Sequence, residues 1–428
     1  MIRIEDFDRV SRESILYRGT RVSENVDAAV DAILADVRDN GDEALRRYAR
    51  QFDGAEVADL TVPPEELSAA AARLDPYFLE TLREAADNIR AFHEKQVHEN
   101  FVLTRPDGAV MGQRYTPIER VGICVPGTPT AFPSTVLMDA IPAAIAGVSE
   151  IVMVTPPDEN GAVSDGALAA AKLAGVTRVV KSGGAQGVAA LAYGTRSVPR
   201  VDKIVGPGGA FVAAAKRKVF GLVDIDMIAG PSEILVLADG KSNPAWVAAD
   251  LLSQAEHDAL AAAVLVTDSR SLALAVQAEL EVQLEALPRR DVARASLDSN
   301  GRILIADDLD RAVEAVNLLA PEHLELCVDD PFALLGRIRN AGSIFLGRSV
   351  PEALGDYFAG PNHTLPTGGT ARFSSPLSVD DFVKKSSFLY YPPEAQAKAA
   401  PRVADFAERE GLRAHARSML IRCEQKEK

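Results

Sequence analysis

Four of the chain's six histidines fall between residues 257 and 415, each in a short segment that also carries a carboxylate or an amide. The segments are SQAEH, with Gln254 and His257; APEH, with Glu322 and His323; GDYFAGPNH, with Asp356 and His363; and EGLRAH, with Glu410 and His415. Imidazole titrates near neutrality and binds metals, so pieces of these types gathered from distant parts of the chain would make an acid–base or metal site. That pattern points to an enzyme rather than a binding module. Gln254 and His257 are three residues apart and share a face if one helix runs through both, as two ligands of one ion need. The same spacing also suits a surface helix with a hydrogen-bonded histidine. Glu322 and His323 face opposite ways in a strand but both reach one substrate from a turn, which Pro321 favours; the plainer reading is a surface acid beside a half-buried histidine. Nitrogen and oxygen donors of this kind suit zinc or another borderline divalent ion.

The elements that must hold these pieces are legible from periodicity. Residues 23–98 carry Ala/Leu/Glu/Arg-rich segments with apolar positions recurring at three and four, the helical pattern. From residue 118 the pattern changes to β-rich runs, RVGICVPG, EIVMVTPP, TRVVKSGG and DKIVGPGG, separated by Ala-rich helical stretches. EILVLADG, AAAVLVTD, GRILIADD, HLELCVDD and GSIFLG make a second series. Both read as βαβ units on parallel sheets, giving an α/β fold with two sheets and a helical tail. Ser242 or Asn243 caps the helix that leads to SQAEH, with Pro244 in its first turn. SGGAQG at 182–187 and GPGGAF at 206–211 lie where open α/β sheets bind nucleotides, at the carboxyl ends of strands, yet neither fits G-x-G-x-x-G. Both equally suit tight strand-to-helix turns. Residues 348–375 are rich in Gly, Pro, Ser and Thr yet hold Asp356 and His363, so this long loop reads as functional.

At 428 residues the chain exceeds what one core usually fills. Its net charge of -15 argues against nucleic acid or an anionic membrane as partner. The one tight basic run, Lys216 to Lys218, is expected to be a solvated helix face. Three cysteines without CxxC spacing indicate neither a disulfide framework nor a thiolate zinc site, and a reducing cytoplasm fits them best. No apolar signal core or spanning stretch is evident, so a soluble cytoplasmic protein is expected.

The segment IDMIAGPSEILVLADGKSNPAWVAADLLSQAEH, residues 225–257, resembles the signature of the histidinol dehydrogenases, and NAGSIFLG, GDYFAGPNHTLPTGGTARFSSPLSV and EGLRAH continue the resemblance in order. The resemblance covers nearly the whole chain. It implies oxidation of L-histidinol to L-histidine through histidinal with two NAD molecules and one zinc ion per chain. The implied zinc ligands are Gln254, His257, Asp356 and His415, with Glu322 and His323 as the acid–base pair. Ser232, His363 and Glu410 complete the implied substrate site together with Gln254, His257, His323, Asp356 and His415. Of the side chains expected at NAD, Gln186 is kept, while the family's usual tyrosine is Cys124 in CVPGT and its usual asparagine is Gly209.

The same resemblance implies two incomplete Rossmann-like domains and a homodimer that exchanges its C-terminal pieces. The expected division is an N-terminal segment over 1–22, a first α/β domain over 23–120 plus 233–372 with the metal and acid–base residues, a second over 121–232 on the NAD side, and the exchanged segment over 373–428. Two rivals stand beside this reading: a paralogous zinc and NAD dehydrogenase of another amino or hydroxy compound, and a metal-binding protein that has lost the cofactor.

Overall fold

The computed structural model describes residues 2–424 apart from 12, 14, 16–23 and 128–131. In chain order the strands are β1 (Arg3–Asp6), β2 (Phe101–Thr104), β3 (Val110–Pro117), β4 (Arg120–Cys124), β5 (Glu150–Thr155), β6 (Arg178–Lys181), β7 (Lys203–Val205) and β8 (Asp224–Ile225). They continue with β9 (Glu233–Ala238), β10 (Ala262–Thr267), β11 (Arg302–Ile305), β12 (His323–Cys327), β13 (Ser343–Leu346) and β14 (Val383–Tyr390). The chain divides into two compact units, one reaching to Gln96 and resuming over Ile118–Phe382, the other formed by Val97–Pro117 with the chain from Val383 on.

The first unit holds two parallel sheets, ordered β6-β5-β4-β7-β8 and β1-β11-β10-β9-β12-β13. Strands covered on both faces need apolar side chains throughout, and β9 and β10 are buried along their whole length. The β-rich runs of both series fall on observed strands. β1 is an addition: four residues, three of them charged, give no apolar signal, and it pairs in parallel with β11. The helices Glu24–Tyr48 and Pro76–His93 bury their apolar faces in the cores of the five-stranded sheet, with Val30, Val37, Leu82 and Ile89 inside. The helices between Glu24 and His93 therefore pack with the sheet of 120–225 and not, as the sequence division had it, with that of 233–372. Among the described residues no helix is long and apolar enough to cross a membrane.

The basic run 216–218 departs from expectation. Lys216 is 1% exposed, donates to the Gly206 carbonyl at 2.9 Å and pairs with buried Asp226, while Arg217 and Lys218 pair with Asp27 and Asp31. Three consecutive positions spread over about 200° of the helix surface, so on this half-buried helix one member turns inward, where a buried carboxylate meets it. Gly206 itself has φ +105, and a Cβ there would meet the Cys124 carbonyl oxygen at 2.4 Å, which is why a glycine follows β7.

The second unit is an antiparallel sheet, β14-β3-β2, followed by the helices Pro393–Arg409 and Arg413–Leu420. Its later stretch begins at Val383, about ten residues past the boundary of 373 expected from the sequence.

Within the first unit, Asp139 on the helix Pro133–Ala146 accepts a 2.7 Å hydrogen bond from the Thr364 hydroxyl, tying that helix to the functional loop. Asp139 is fully buried, its Oδ2 has no hydrogen-bond partner among the described residues, and desolvation pushes it up to about 8. A folded-state pKa raised above the ordinary value favours the native state at low pH, and that stability is lost as pH rises toward 8. Asp139→Asn should therefore flatten the decline between about pH 5 and pH 8, whose slope from this group approaches about 1.4 kcal/mol per pH unit. Urea midpoints across that range check it; parallel wild-type and variant curves would contradict it.

Candidate active site

Glu322 and His323 enter the six-stranded sheet at its amino edge. The helix Leu309–Leu319 ends at Ala320 in a left-handed conformation, φ 48, and Pro321 turns the chain into β12. Both acid–base candidates then meet one residue of the neighbouring strand β9, where His323 lies in register with Ile234. The backbone N–H of Glu233 donates to Glu322 Oε2 at 2.7 Å, and His323 Nδ1 donates to the Glu233 carbonyl oxygen at 3.0 Å. Since that carbonyl can only accept, the Nδ1 proton is fixed and Nε2 faces Asp356 Oδ1 at 3.2 Å.

The electrostatics follow from burial. Desolvation pushes Glu322 up to about 8, against the His323 charge and the Glu233 N–H, which favour its ionised form. Burial likewise pushes Glu352 up to about 7, with His323 pulling it down. For His323 burial opposes the charge, but Glu352, Glu322 and Asp356 together hold the imidazole well above its usual range. Asp356 stays below the usual carboxylate range despite burial, because His323 donates to it and the His363 and His257 rings stabilise its charge. The result is a carboxyl poised near neutrality beside an imidazole that readily takes a proton, which suits general acid–base work.

The first unit thus gathers most of the residues singled out by sequence. Gln254 is fully buried in the last turn of the helix Pro244–Ala255, capped at its start by Asn243, whose side chain accepts from Ala245 N–H. That helix stops before His257 because Asp258 opens a turn, accepting from Leu260 and Ala261 N–H, so His257 lies past the helix end rather than on its face. His257 is exposed at this edge, yet its ring is crowded enough for desolvation to lower its pKa, against the pull of Asp356. His363 donates from Nδ1 to the Asp356 carbonyl oxygen at 2.9 Å, and Ser232 is half-buried just before β9. Glu410 and His415 belong to the second unit, exposed at the end of one helix and within the next.

Sequence reasoning missed Glu352. Its signal was present in PEALGDY, where Glu352 and Asp356 are four apart; ligating atoms of His323, Glu352 and Asp356 lie within 4.8 Å of one another. It also missed the half-buried Asp250 and its buried partner Glu325, which is pushed up to about 9 by burial and Asp250's charge.

At the carboxyl edge of the five-stranded sheet, between β4 and β7, lies a cavity of about 250 Å³ lined by Cys124, Gly127, Pro156, Gly183, Gly184 and residues 207–212. Sheet order reverses there, the place where such sheets take ligands. The helices Gly184–Tyr193 and Ala210–Val219 both start here with glycine N-caps, Gly183 and Gly209, that provide no side-chain cap. Their first backbone N–H groups therefore suit an anion such as a diphosphate. Gln186 is buried in the first of these helices. Cys124 forms a buried wall, its thiol pushed up to about 12 by burial, which makes it inert as a nucleophile. Gly209 is extended and exposed, with nothing within 4 Å of where a Cβ would sit, so a side chain fits there.

Two parallel sheets with a buried acid–base cluster at one edge and a glycine-lined cavity at another are the parts of an α/β enzyme. A family model described as histidinol dehydrogenase matches residues 16–423. Histidinol dehydrogenases of Geobacillus kaustophilus, Syntrophotalea carbinolica and Bacillus subtilis are 55%, 54% and 52% identical to the chain. These matches cover 93%, 99% and 98% of this chain and 94%, 99% and 97% of theirs. The crystal structure of histidinol dehydrogenase from Elizabethkingia anophelis matches with a TM-score of 0.93 at 36% identity, covering 99% of this chain and 98% of that one. The chain belongs to the histidinol dehydrogenase family.

The turn between Asp356 and His363 hinges on Gly360, with φ +114 and a position where a Cβ would meet the Asn88 carbonyl oxygen at 2.7 Å. Gly347, with φ +99, has open space at the same position. Gly360→Ala should cost about 2 kcal/mol or more and Gly347→Ala clearly less, since only the first adds a clash to the strain. Denaturant titration of both variants measures the difference; equal losses would show that the loop moves freely away from Asn88.

Proposed function

We propose that the chain catalyses the NAD-dependent, four-electron oxidation of L-histidinol to L-histidine through L-histidinal, the last steps of histidine biosynthesis, in the cytoplasm and with one zinc ion per chain. The observation that carries this reading is the buried His323, oriented at Nδ1 by the Glu233 carbonyl oxygen, with Asp356 3.2 Å from Nε2 and Glu322, a separately poised carboxyl, at 3.7 Å. The donor set fits zinc: Gln254, His257 and Asp356, with His415 of the partner subunit, offer neutral nitrogen and oxygen atoms beside one carboxylate. Zinc, when bound, would supply a fixed positive charge that holds the substrate's nitrogen atoms, and two NAD molecules, bound in turn, would each accept one hydride. The glycine N-caps at 183 and 209 fit the dinucleotide's diphosphate, with Gln186 beside them and Cys124 and Gly209 in contact by position.

From its neutral form, with the Nδ1 proton held on the Glu233 carbonyl, His323 takes the alcohol proton at Nε2 during the first oxidation, and Glu322 and Glu352 steady the resulting imidazolium. Glu322 takes a proton from the water that adds to the aldehyde, and the second oxidation of that hydrate gives the acid. Ser232, His363 and Glu410 position the substrate's polar groups. In this reading the two sheets form incomplete Rossmann-like domains, and the second unit carries Glu410 and His415 to the site of the other chain in an exchanged homodimer.

Two NADH should form per L-histidinol consumed, and absence of turnover in zinc-loaded protein would refute the assignment. Glu322→Gln should still oxidise the alcohol slowly but fail on added histidinal, whereas His323→Asn should lose more on the alcohol. Stopped-flow traces of NADH with each substrate test the division, and equal losses in both variants would count against it.

Subunit exchange makes a further prediction. His257→Asn and His415→Asn homodimers should each be inactive, while a hybrid dimer carries one site with both defects and one with none. Random remixing should restore roughly a quarter of wild-type turnover. Native mass spectrometry verifies the hybrids, and hybrids without activity would place His415 at its own chain's site.

A further inference from the structure

Gln254 occupies an unusual position for a ligand: a carboxamide with no exposed surface whose two ends differ in chemistry but hardly in shape. Oxygen binds a cation and the amide nitrogen does not, so something must decide which end faces which way. With its nitrogen turned toward Glu352, the amide donates to the two carboxylate oxygens at 2.6 and 3.1 Å; in the opposite orientation oxygen would face oxygen.

We propose that Glu352 is a positioning residue for the metal, fixing the Gln254 amide so that its Oε1 is the atom presented to zinc. The inference rests on the reading of Gln254 as a zinc ligand. Glu352 is itself held in place. It is 3% exposed and starts the short helix Glu352–Leu354 that leads into Asp356, and its backbone N–H donates to Glu325 Oε1 at 2.8 Å. Among the described residues no lysine or arginine forms an ion pair with it; its near neighbours are the Gln254 amide and His323, whose Nδ1 is 3.8 Å away. A buried carboxylate is costly, and the N–H bonds donated by the Gln254 amide, together with the His323 ring beside it, are what make it tolerable here. Glu352 and Asp356 thus sit one turn apart with different tasks: Asp356 offers its oxygen to the ion, and Glu352 aims a neighbour's oxygen at it. Partners of this kind typically change metal affinity by about ten- to a hundredfold.

The test is zinc affinity of protein stripped by chelation, read by competition with a chromophoric chelator, for wild type, Glu352→Gln, Glu352→Leu, Gln254→Ala and the Gln254→Ala, Glu352→Leu double variant. Glu352→Leu should weaken zinc by about ten- to a hundredfold. Glu352→Gln should fall between it and wild type, because two facing amides pair in either orientation. In the Gln254→Ala background Glu352→Leu should cause no further loss, since the residue it acts through is gone. Cobalt substituted for zinc gives a second readout: the visible absorption of Glu352→Leu should change toward that of Gln254→Ala. Wild-type affinity in Glu352→Leu, or an equal extra loss in the Gln254→Ala background, overturns the positioning role. If the leucine variant does not fold, wild-type affinity in Glu352→Gln overturns it instead. Unchanged affinity in Gln254→Ala would overturn the reading of Gln254 as a ligand along with this one.

Discussion

Three carboxylates crowd one buried imidazole: Asp356 at 3.2 Å, Glu322 at 3.7 Å and Glu352 at 3.8 Å from the ring nitrogens of His323. Two like charges at about 4 Å repel by about 4 kcal/mol even at an effective dielectric of 20, so this group of acids is tenable only around a positive centre or with some of its protons retained. The surrounding architecture serves that balance. A single residue of β9, Glu233, pins two of its members through its own peptide groups, giving its N–H to Glu322 and its carbonyl to His323. Parallel pairing of β9 with β12 sets those groups opposite one another.

The cluster sits at the amino edge of its sheet, opposite the edge where α/β folds usually bind ligands. At the carboxyl edge, Arg348 donates to Asp239 at 2.5 Å, Asp329 at 2.9 Å and Ser242 at 3.2 Å, so the crevice between β9 and β12 is filled by the protein's own ion pairs. The five-stranded sheet keeps its carboxyl-edge cavity open instead. One stretch of chain reaches the surroundings of both: Asp356 meets His323, Thr364 meets Asp139, Thr367 accepts from Gly230, and Gly368 donates to Glu233.

Periodicity made both sheets and nearly every strand of the first unit legible, because parallel strands are apolar throughout and announce themselves. β1 was invisible for the opposite reason, since its polar residues lie at a sheet edge where burial asks little of them. Histidines drew attention to SQAEH, APEH and GDYFAGPNH, which meet around Asp356. Glu352, Glu325, Asp250 and Asp139 stayed hidden because a carboxylate's usual place is the surface, and nothing in a linear sequence marks the ones that folding buries. The inward turn of Lys216 escaped for the same reason: its partner Asp226 lies on a different element, so the pair exists only in three dimensions.

The pairing of β1 with β11 has a consequence for synthesis. Arg3 lies beside Arg302, so the edge of the six-stranded sheet joins residues roughly 300 positions apart, whereas the five-stranded sheet draws on one contiguous stretch, 120–225. On a ribosome adding about 5–20 residues per second, the first strand waits roughly 15–60 s for its partner. Helices 24–93 and the five-stranded sheet can assemble in that interval, and the second unit, which needs β14, closes last. The chain's two ends are therefore the last parts to be secured, and the N-terminal strand is the segment most exposed to wrong pairing while the protein is being made.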